Sequence, residues 1–350
     1  MSAPIVTRQP TLPDAEVELG DVKPVVPVAA AAVAVPAATA EAIPVAYATL
    51  VQQSGVNLDF LMPLNRLIIK QQTDLFETIT QGCYEAPNAY MVFNADTGRP
   101  VFIVREISGD CTRCCCAPTH AFSLQFMAIN PDGSPGGILM TMERAGNSCS
   151  NPCAKWLCCC NCSEFCSDGF RLHLGAVDHP DGPGNFPNTN QIGWANQPSM
   201  GGGLTPTIQL MERQELASFA IVEGPTCFGG CSELCCSAPF QISKGPAIDL
   251  PLKRGDSAKI TKQKPNSLGA AMREALTDSD VYTMEFTDPA LNPYQKATEL
   301  AALFLVDYMF FERDNGMCHQ ENGKTYITCF LCYCAGCIIP CNITFGKDEK

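Results

Sequence analysis

The chain has 350 residues, 46% of them of hydrophobic type, a formal charge of −13, 22 cysteines and 4 histidines. That length can bury a full core and predicts one large domain or two. The acidic balance excludes long-range attraction to nucleic acid or to anionic lipid, so membrane contact needs lipid chains, a divalent cation or a local basic patch.

Residues 1–56 read as a disordered Pro/Ala-rich arm. Its start, MSAPIVTRQP, lacks the basic-then-apolar pattern of a secretory signal. This predicts a cytosolic, reducing setting, where clustered thiols stay free, bind metal or are acylated. Prolines recur at Pro10, Pro13, Pro24, Pro27, Pro36 and Pro44 around an Ala/Val tract. Pro36 and Pro44 cut that tract below the roughly 20 residues a membrane-crossing helix needs. A flexible, protein-recruiting arm is the expectation.

A compact region, 57–312, begins near Asn57. Asn65–Thr80 is helix or strand, since its periodicity fits either. The chain then turns to β. Tyr90–Phe93 and Val101–Val104 flank Ala95-Asp96-Thr97-Gly98-Arg99, a hairpin loop. Phe122, Leu124 and Phe126 alternate with polar neighbours, and Asn130-Pro131-Asp132-Gly133 leads to Ile138–Met142. Phe170–Leu174, Thr207–Leu210, Ser218–Val222 and Pro239–Ser243 are further strands. Short strands with Gly/Pro/Asn turns predict an antiparallel sandwich or barrel.

The one strong helix is Lys296–Phe311, apolar on every face except at Glu299 and Asp307. Such a helix is fully buried or in a membrane. Its 16 residues extend about 24 Å against a hydrocarbon core of about 30 Å. Asp307 at membrane depth would cost roughly 2.5–3.5 kcal/mol. The arithmetic favours a core helix. Residues 313–350 follow as a Cys-rich tail.

Three blocks together resemble the phospholipid scramblase family: CTRCCCAPTHAFSLQFMAIN from Cys111, CCCNC from Cys158, and the run from Arg273 to Glu312 that ends in DYMFFE. The likeness runs from about Asn57 to Glu312. It implies a mainly β, tubby-like fold, a closed antiparallel barrel around a central C-terminal apolar helix. It implies calcium-stimulated, energy-independent movement of phospholipid between leaflets, with no bond chemistry. It also implies a cytoplasmic-face location, with the plasma membrane as the family's usual site. The alternatives are a tubby-like lipid- or protein-binding module that moves no lipid, and a zinc-binding Cys-cluster protein.

Several residues carry candidate chemistry. Adjacent cysteines are poor disulfide partners but good acyl acceptors. Cys158, Cys159, Cys160 and Cys162 match the family's palmitoylated cluster, and two acyl chains anchor stably where one is marginal. Metal ligation or inert packing are the other readings of that block. Cys111-x-x-Cys114 and Cys329-x-x-Cys332 have zinc-knuckle spacing. The tail CFLCYCAGCIIPC from Cys329 reads as a second acylated, membrane-touching segment, a zinc ligand set or a loose tail. The stretch from Asp278 to Pro289 reads as an acidic calcium loop. Asp278 and Asp280 fill the first two ligand positions and Glu285 and Asp288 add oxygens, but the glycine and the closing bidentate acid are missing. Weak, millimolar affinity is the expectation. The run Lys253, Arg254, Lys259, Lys262, Lys264 and Arg273 reads as an exposed basic face, able also to meet anionic headgroups. No catalytic constellation stands out, and no nucleic-acid partner is expected.

Overall fold

Twelve antiparallel strands close on themselves around a buried helix. The computed structural model describes residues 45–72, 87–109, 120–144, 167–177, 190–213, 215–234, 236–245, 255–263, 280–312, 318–321 and 323–346. All lie in the unit Pro44–Lys350, one of two into which the chain divides. In chain order the strands are β1 Arg66–Gln72, β2 Ala89–Asn94, β3 Pro100–Ile107, β4 Phe122–Ile129, β5 Pro135–Arg144, β6 Gly169–Leu174, β7 Gln191–Asn196, β8 Thr207–Glu212, β9 Ser218–Glu223, β10 Cys227–Phe228, β11 Ala238–Lys244, β12 Asp256–Lys262 and β13 Val281–Phe286. Each barrel strand pairs with the next, β10 is passed over, and β13 returns to β1, with Leu67 opposite Met284. The expected closed barrel is therefore the fold.

Side-chain alternation explains the wall. Leu67 and Ile69, Tyr90 and Val92, Phe102 and Val104, and Leu124 and Phe126 all point to one side and are fully buried. Period-2 placement puts such pairs on a single face of each strand. A barrel of 12 strands is too wide for wall side chains alone to fill. Helix α2, introduced below, occupies the lumen.

Among the described residues two α-helices flank the barrel strands. Helix α1 is Val45–Ser54. It falls inside the span that sequence assigned to the arm. Tyr47 and Leu50, three residues apart, share a helix face and are buried. Tyr47 stacks on Tyr294 with ring centroids 3.9 Å apart. Helix α2 is Pro293–Val306. Asn292 opens it with a capping box: its side chain accepts from the Tyr294 and Gln295 amides at 2.9 and 2.8 Å, and Gln295 accepts from the Asn292 amide at 3.0 Å. Pro293 fits the first turn because its missing N–H would be unpaired there. A wider π turn, Asp307–Phe311, continues it.

Beyond the helix the tail is ordered as a second sheet: β14 Cys318–Glu321, β15 Lys324–Cys334 and β16 Cys337–Phe345, with β10 pairing β15. Ala335 and Gly336, both at positive φ (50° and 83°), make the two-residue hairpin turn. Tyr333 and Leu331 face inward. Tyr333 meets Phe310 edge-on and donates to the Gly201 carbonyl at 2.8 Å. Phe228 packs edge-on against Phe310 and Phe311. The second sheet thus sits over the C-terminal end of the lumen helix.

Candidate functional site

Helix α2 and its π turn carry ionisable groups into the lumen, and each is met by the wall or the rim. The Lys296 ammonium donates to the carbonyls of Met62 and Leu64 at 2.8 and 3.0 Å. It lies 5.0 Å from the Phe286 ring centre. Burial lowers its pKa, with the Glu299 charge opposing. Glu299 is fully buried and accepts from the Ser257 hydroxyl. Burial pushes its carboxyl up to about 8, against the Ser257 hydrogen bond. Its other oxygen has no hydrogen-bond partner among the described residues. At neutral pH Glu299 is therefore mostly a neutral acid.

Asp307 anchors a longer polar chain. It accepts from the Tyr90 hydroxyl at 2.7 Å and from the Tyr282 hydroxyl. The Tyr282 oxygen also lies 2.9 Å from Asp280. A phenol has one proton to give, so it cannot serve both carboxylates. A second proton is best accommodated on Asp307, whose pKa is raised to about 7 by burial first and the Asp280 charge next. Lys262 then bridges Asp280 at 2.8 Å and Glu233 at 2.7 Å. Desolvation opposes the Lys262 charge, but the two carboxylates win and its pKa is raised. The chain Tyr90, Asp307, Tyr282, Asp280, Lys262 and Glu233 thus leads from core to rim. It can hold and move protons or exchange cations; it presents no nucleophile to a substrate.

A second cluster steadies the same turn. The Tyr308 hydroxyl donates to Glu106 at 2.8 Å, and Glu106 meets His120 at 3.1 Å and the Asn88 amide at 3.0 Å. Burial would raise the Glu106 carboxyl, yet its bonds from His120, Ser108 and Asn88 hold it below the usual range.

The structure redistributes the residues picked from sequence. Val281–Phe286 is a barrel strand rather than part of an acidic loop. Asp280 and Asp288 stand beyond its two ends, with a six-residue strand roughly 20 Å long between them. Asp280 is paired with Lys262, Asp288 with Lys244 at 2.5 Å, and Glu285 is exposed on the outer face. Asp278 lies outside the described residues. The basic run is likewise split. Lys259 faces solvent, whereas Lys262 is buried. Sequence read Lys262 as part of an exposed face, although its parity with Ala258 and Ile260 places it inward. It also missed Tyr90 and Tyr282, the donors that a buried Asp307 demands.

Cys111, Cys114, Cys158, Cys159, Cys160 and Cys162 lie outside the described residues. Cys329 sits at a β-bulge and Cys332 faces Cys227 instead. Among the described residues no three His, Cys, Asp or Glu side chains converge as metal ligands. Among them, too, no helix is long and apolar enough to cross a membrane. The lumen gives Asp307 two hydroxyl partners, Tyr90 and Tyr282, which hydrocarbon cannot. That is the physical reason α2 is a plug.

The family profile described as Scramblase matches residues 45–179 and 217–313. Phospholipid scramblase 1 of Mus musculus is 28% identical over 266 residues, 76% of this chain and 66% of that protein. Phospholipid scramblase 1 of Homo sapiens is 27% identical over 76% of this chain and 69% of its own length. Phospholipid scramblase 2 of Homo sapiens is 25% identical over 73% of this chain and 70% of its own. The matched region thus spans just under two thirds of the mouse protein's length. No solved structure matches. The profile ends at residue 313, so β14, β15 and β16 lie beyond its match, while β10 lies within it.

Proposed function

The chain belongs to the scramblase family, and on that footing we propose that it is a membrane-associated, scramblase-like protein acting on phospholipid bilayers. The family match carries this reading. Movement of lipid between leaflets would be energy-independent and calcium-responsive. Acylation of Cys158, Cys159, Cys160 and Cys162 would hold the protein at the cytoplasmic face of the plasma membrane, and the N-terminal arm would recruit proteins. Because α2 fills the lumen, the lipid route runs along the outside of the barrel, where the protein loosens the bilayer surface. Calcium acting at Asp278 and Asp280 would have to displace Lys262 from Asp280, which accords with weak affinity.

The filled lumen also favours a second reading, a lipid-binding module that moves no lipid. Vesicles with a fluorescent lipid in both leaflets separate the two when an impermeant quencher is added outside. Quenching that proceeds past the outer-leaflet half with protein and calcium supports scrambling. Saturable vesicle binding with quenching halted at half supports the module. Absence of both binding and quenching past half refutes both. The anchor is tested separately: hydroxylamine-sensitive labelling in cells should vanish when the four cysteines become serine, together with membrane pelleting. Pelleting that survives the substitution refutes the anchor.

A further inference from the structure

Cys227 on β10 and Cys332 on β15 are direct register partners, with sulfurs 3.3 Å apart. One step along the ladder the Tyr333 amide donates to the Thr226 carbonyl at 2.8 Å. Hydrogen-bonded and non-hydrogen-bonded pairs alternate in antiparallel sheets, so Cys227–Cys332 is of the second kind, with Cα atoms about 4.5 Å apart. Disulfides take Cα separations of about 4.4–6.8 Å and a sulfur–sulfur bond of about 2.0 Å. The backbone is therefore already in place, and only side-chain rotation is needed. Cys227 is exposed and Cys332 half-buried.

The position gives the pair a purpose. Cys227 lies in the connection between barrel strands β9 and β11. Cys332 lies in the second sheet, 105 residues later. Strand β10 is two residues long, a small ladder on which to hang a sheet. A covalent link there would fasten the second sheet to the barrel, directly beside Phe228 and over the end of α2.

We propose that Cys227 and Cys332 form a redox-responsive dithiol that closes to a disulfide on exposure to a peroxide and locks the second sheet onto the barrel. The exposed Cys227 sulfur, as thiolate, attacks one peroxide oxygen. The O–O bond breaks, hydroxide leaves and takes up a proton as water, and Cys227 becomes a sulfenic acid. The Cys332 sulfur then attacks the Cys227 sulfur. The S–S bond forms, the S–O bond breaks, and the oxygen departs as water with the Cys332 proton. Two thiols are oxidised and one hydrogen peroxide is reduced to two waters. A thiol reductant reverses the link by exchange. The hydrogen bond to Cys227 raises the Cys332 pKa, which leaves the first attack to the exposed Cys227.

The full-length reduced protein, treated with hydrogen peroxide, blocked with a maleimide and digested without reductant, tests this by peptide mass spectrometry. The expected result is a Cys227–Cys332 linked peptide. Amide exchange in residues 318–346 should slow severalfold on oxidation and recover with dithiothreitol. C227S and C332S should each remove both effects, while C334S keeps them. C334S is a folding control, and Cys227 and Cys332 sit at the surface, so each variant can be checked for native exchange in the barrel. Oxidation that links Cys334 to Cys337 while Cys227 stays alkylated overturns the proposal. So does a Cys227–Cys332 link that leaves exchange in the second sheet unchanged.

Discussion

Gly193→Ala probes the seating of the lumen helix. Gly193 lies on β7 where a Cβ would fall 2.1 Å from Thr298 Oγ1 and 3.0 Å from its Cγ2. Ordinary contact requires about 3.5 Å or more between such atoms, so wall and helix must separate by more than an ångström. Neither yields easily: β7 is paired on both edges, by β6 and β8, and Thr298 is buried with its hydroxyl held by the Tyr294 carbonyl at 2.9 Å. Overpacking of this kind costs about 1–3 kcal/mol. At about 2–4 °C per kcal/mol, the midpoint should fall by roughly 2–12 °C. Thr298→Ala removes the two closest atoms and should recover part of the loss, giving a coupling of about 1 kcal/mol in a double-mutant cycle. Urea and thermal melts of the four proteins measure it. Additive effects, or a G193A stability unchanged within 0.5 kcal/mol (about the noise of additivity), would show that the helix does not pack against β7. Repeating the melts with vesicles present asks whether the plug stays in the barrel on a membrane.

Three further perturbations follow from the buried polar groups and the helix end. Glu299 has a folded pKa raised by burial to about 8, so between about pH 4.5 and 8 the folded state holds a proton the unfolded chain has released. Stability from this group is full below pH 4.5 and falls as pH rises to 8; E299Q should flatten the wild-type slope by up to about 1.4 kcal/mol per pH unit, and parallel urea-stability profiles from pH 5.5 to 8.5 would refute the assignment. Lys262→Met leaves Asp280 and Glu233 without their cation and should cost about 3–5 kcal/mol in denaturant titration; a loss below 1 kcal/mol (the range of exposed pairs) would mean Lys262 is solvated. Phe310→Ala empties a site enclosed by Phe228, Phe240 and Tyr333; a loss of about 3–5 kcal/mol with faster amide exchange in β14–β16 is expected, and unchanged exchange there would separate the second sheet from the helix end.

Elements with plain alternation were legible. In β4, Phe122, Leu124 and Phe126 are all fully buried, as their spacing implies, and the β2–β3 and β4–β5 hairpins follow their turn residues. Helix α2 was legible because apolar residues occupy every face of it, interrupted by few charges. The less legible strands are those whose chemistry disguises them. In β7, QIGWAN has a glycine mid-strand that lowers its strand propensity but leaves room for Thr298. In β12 and β13 the charges drew attention away from Ala258, Ile260, Tyr282 and Met284, which all face inward. Lys262 and Asp280 became a buried pair only because strands β12 and β13 are neighbours, a relation that sequence spacing does not express. Helix α1 was masked by its proline-rich context, and the second sheet by its cysteines, which obscure the alternation of Ile339, Ile343 and Phe345.

The lumen helix is the last piece of the barrel to be made. Strand β1 must wait for β13, and the whole wall must wait for α2. At about 5–20 residues per second of synthesis, that interval is roughly 10–40 s. Throughout it the nascent chain shows unpaired edges and an apolar inner face with nothing to cover them, the state most open to aggregation. Maturation of this fold therefore carries its greatest exposure to aggregation during translation. A transcript that stops before Pro293 yields a wall without an interior, and every copy of it is a client for quality control.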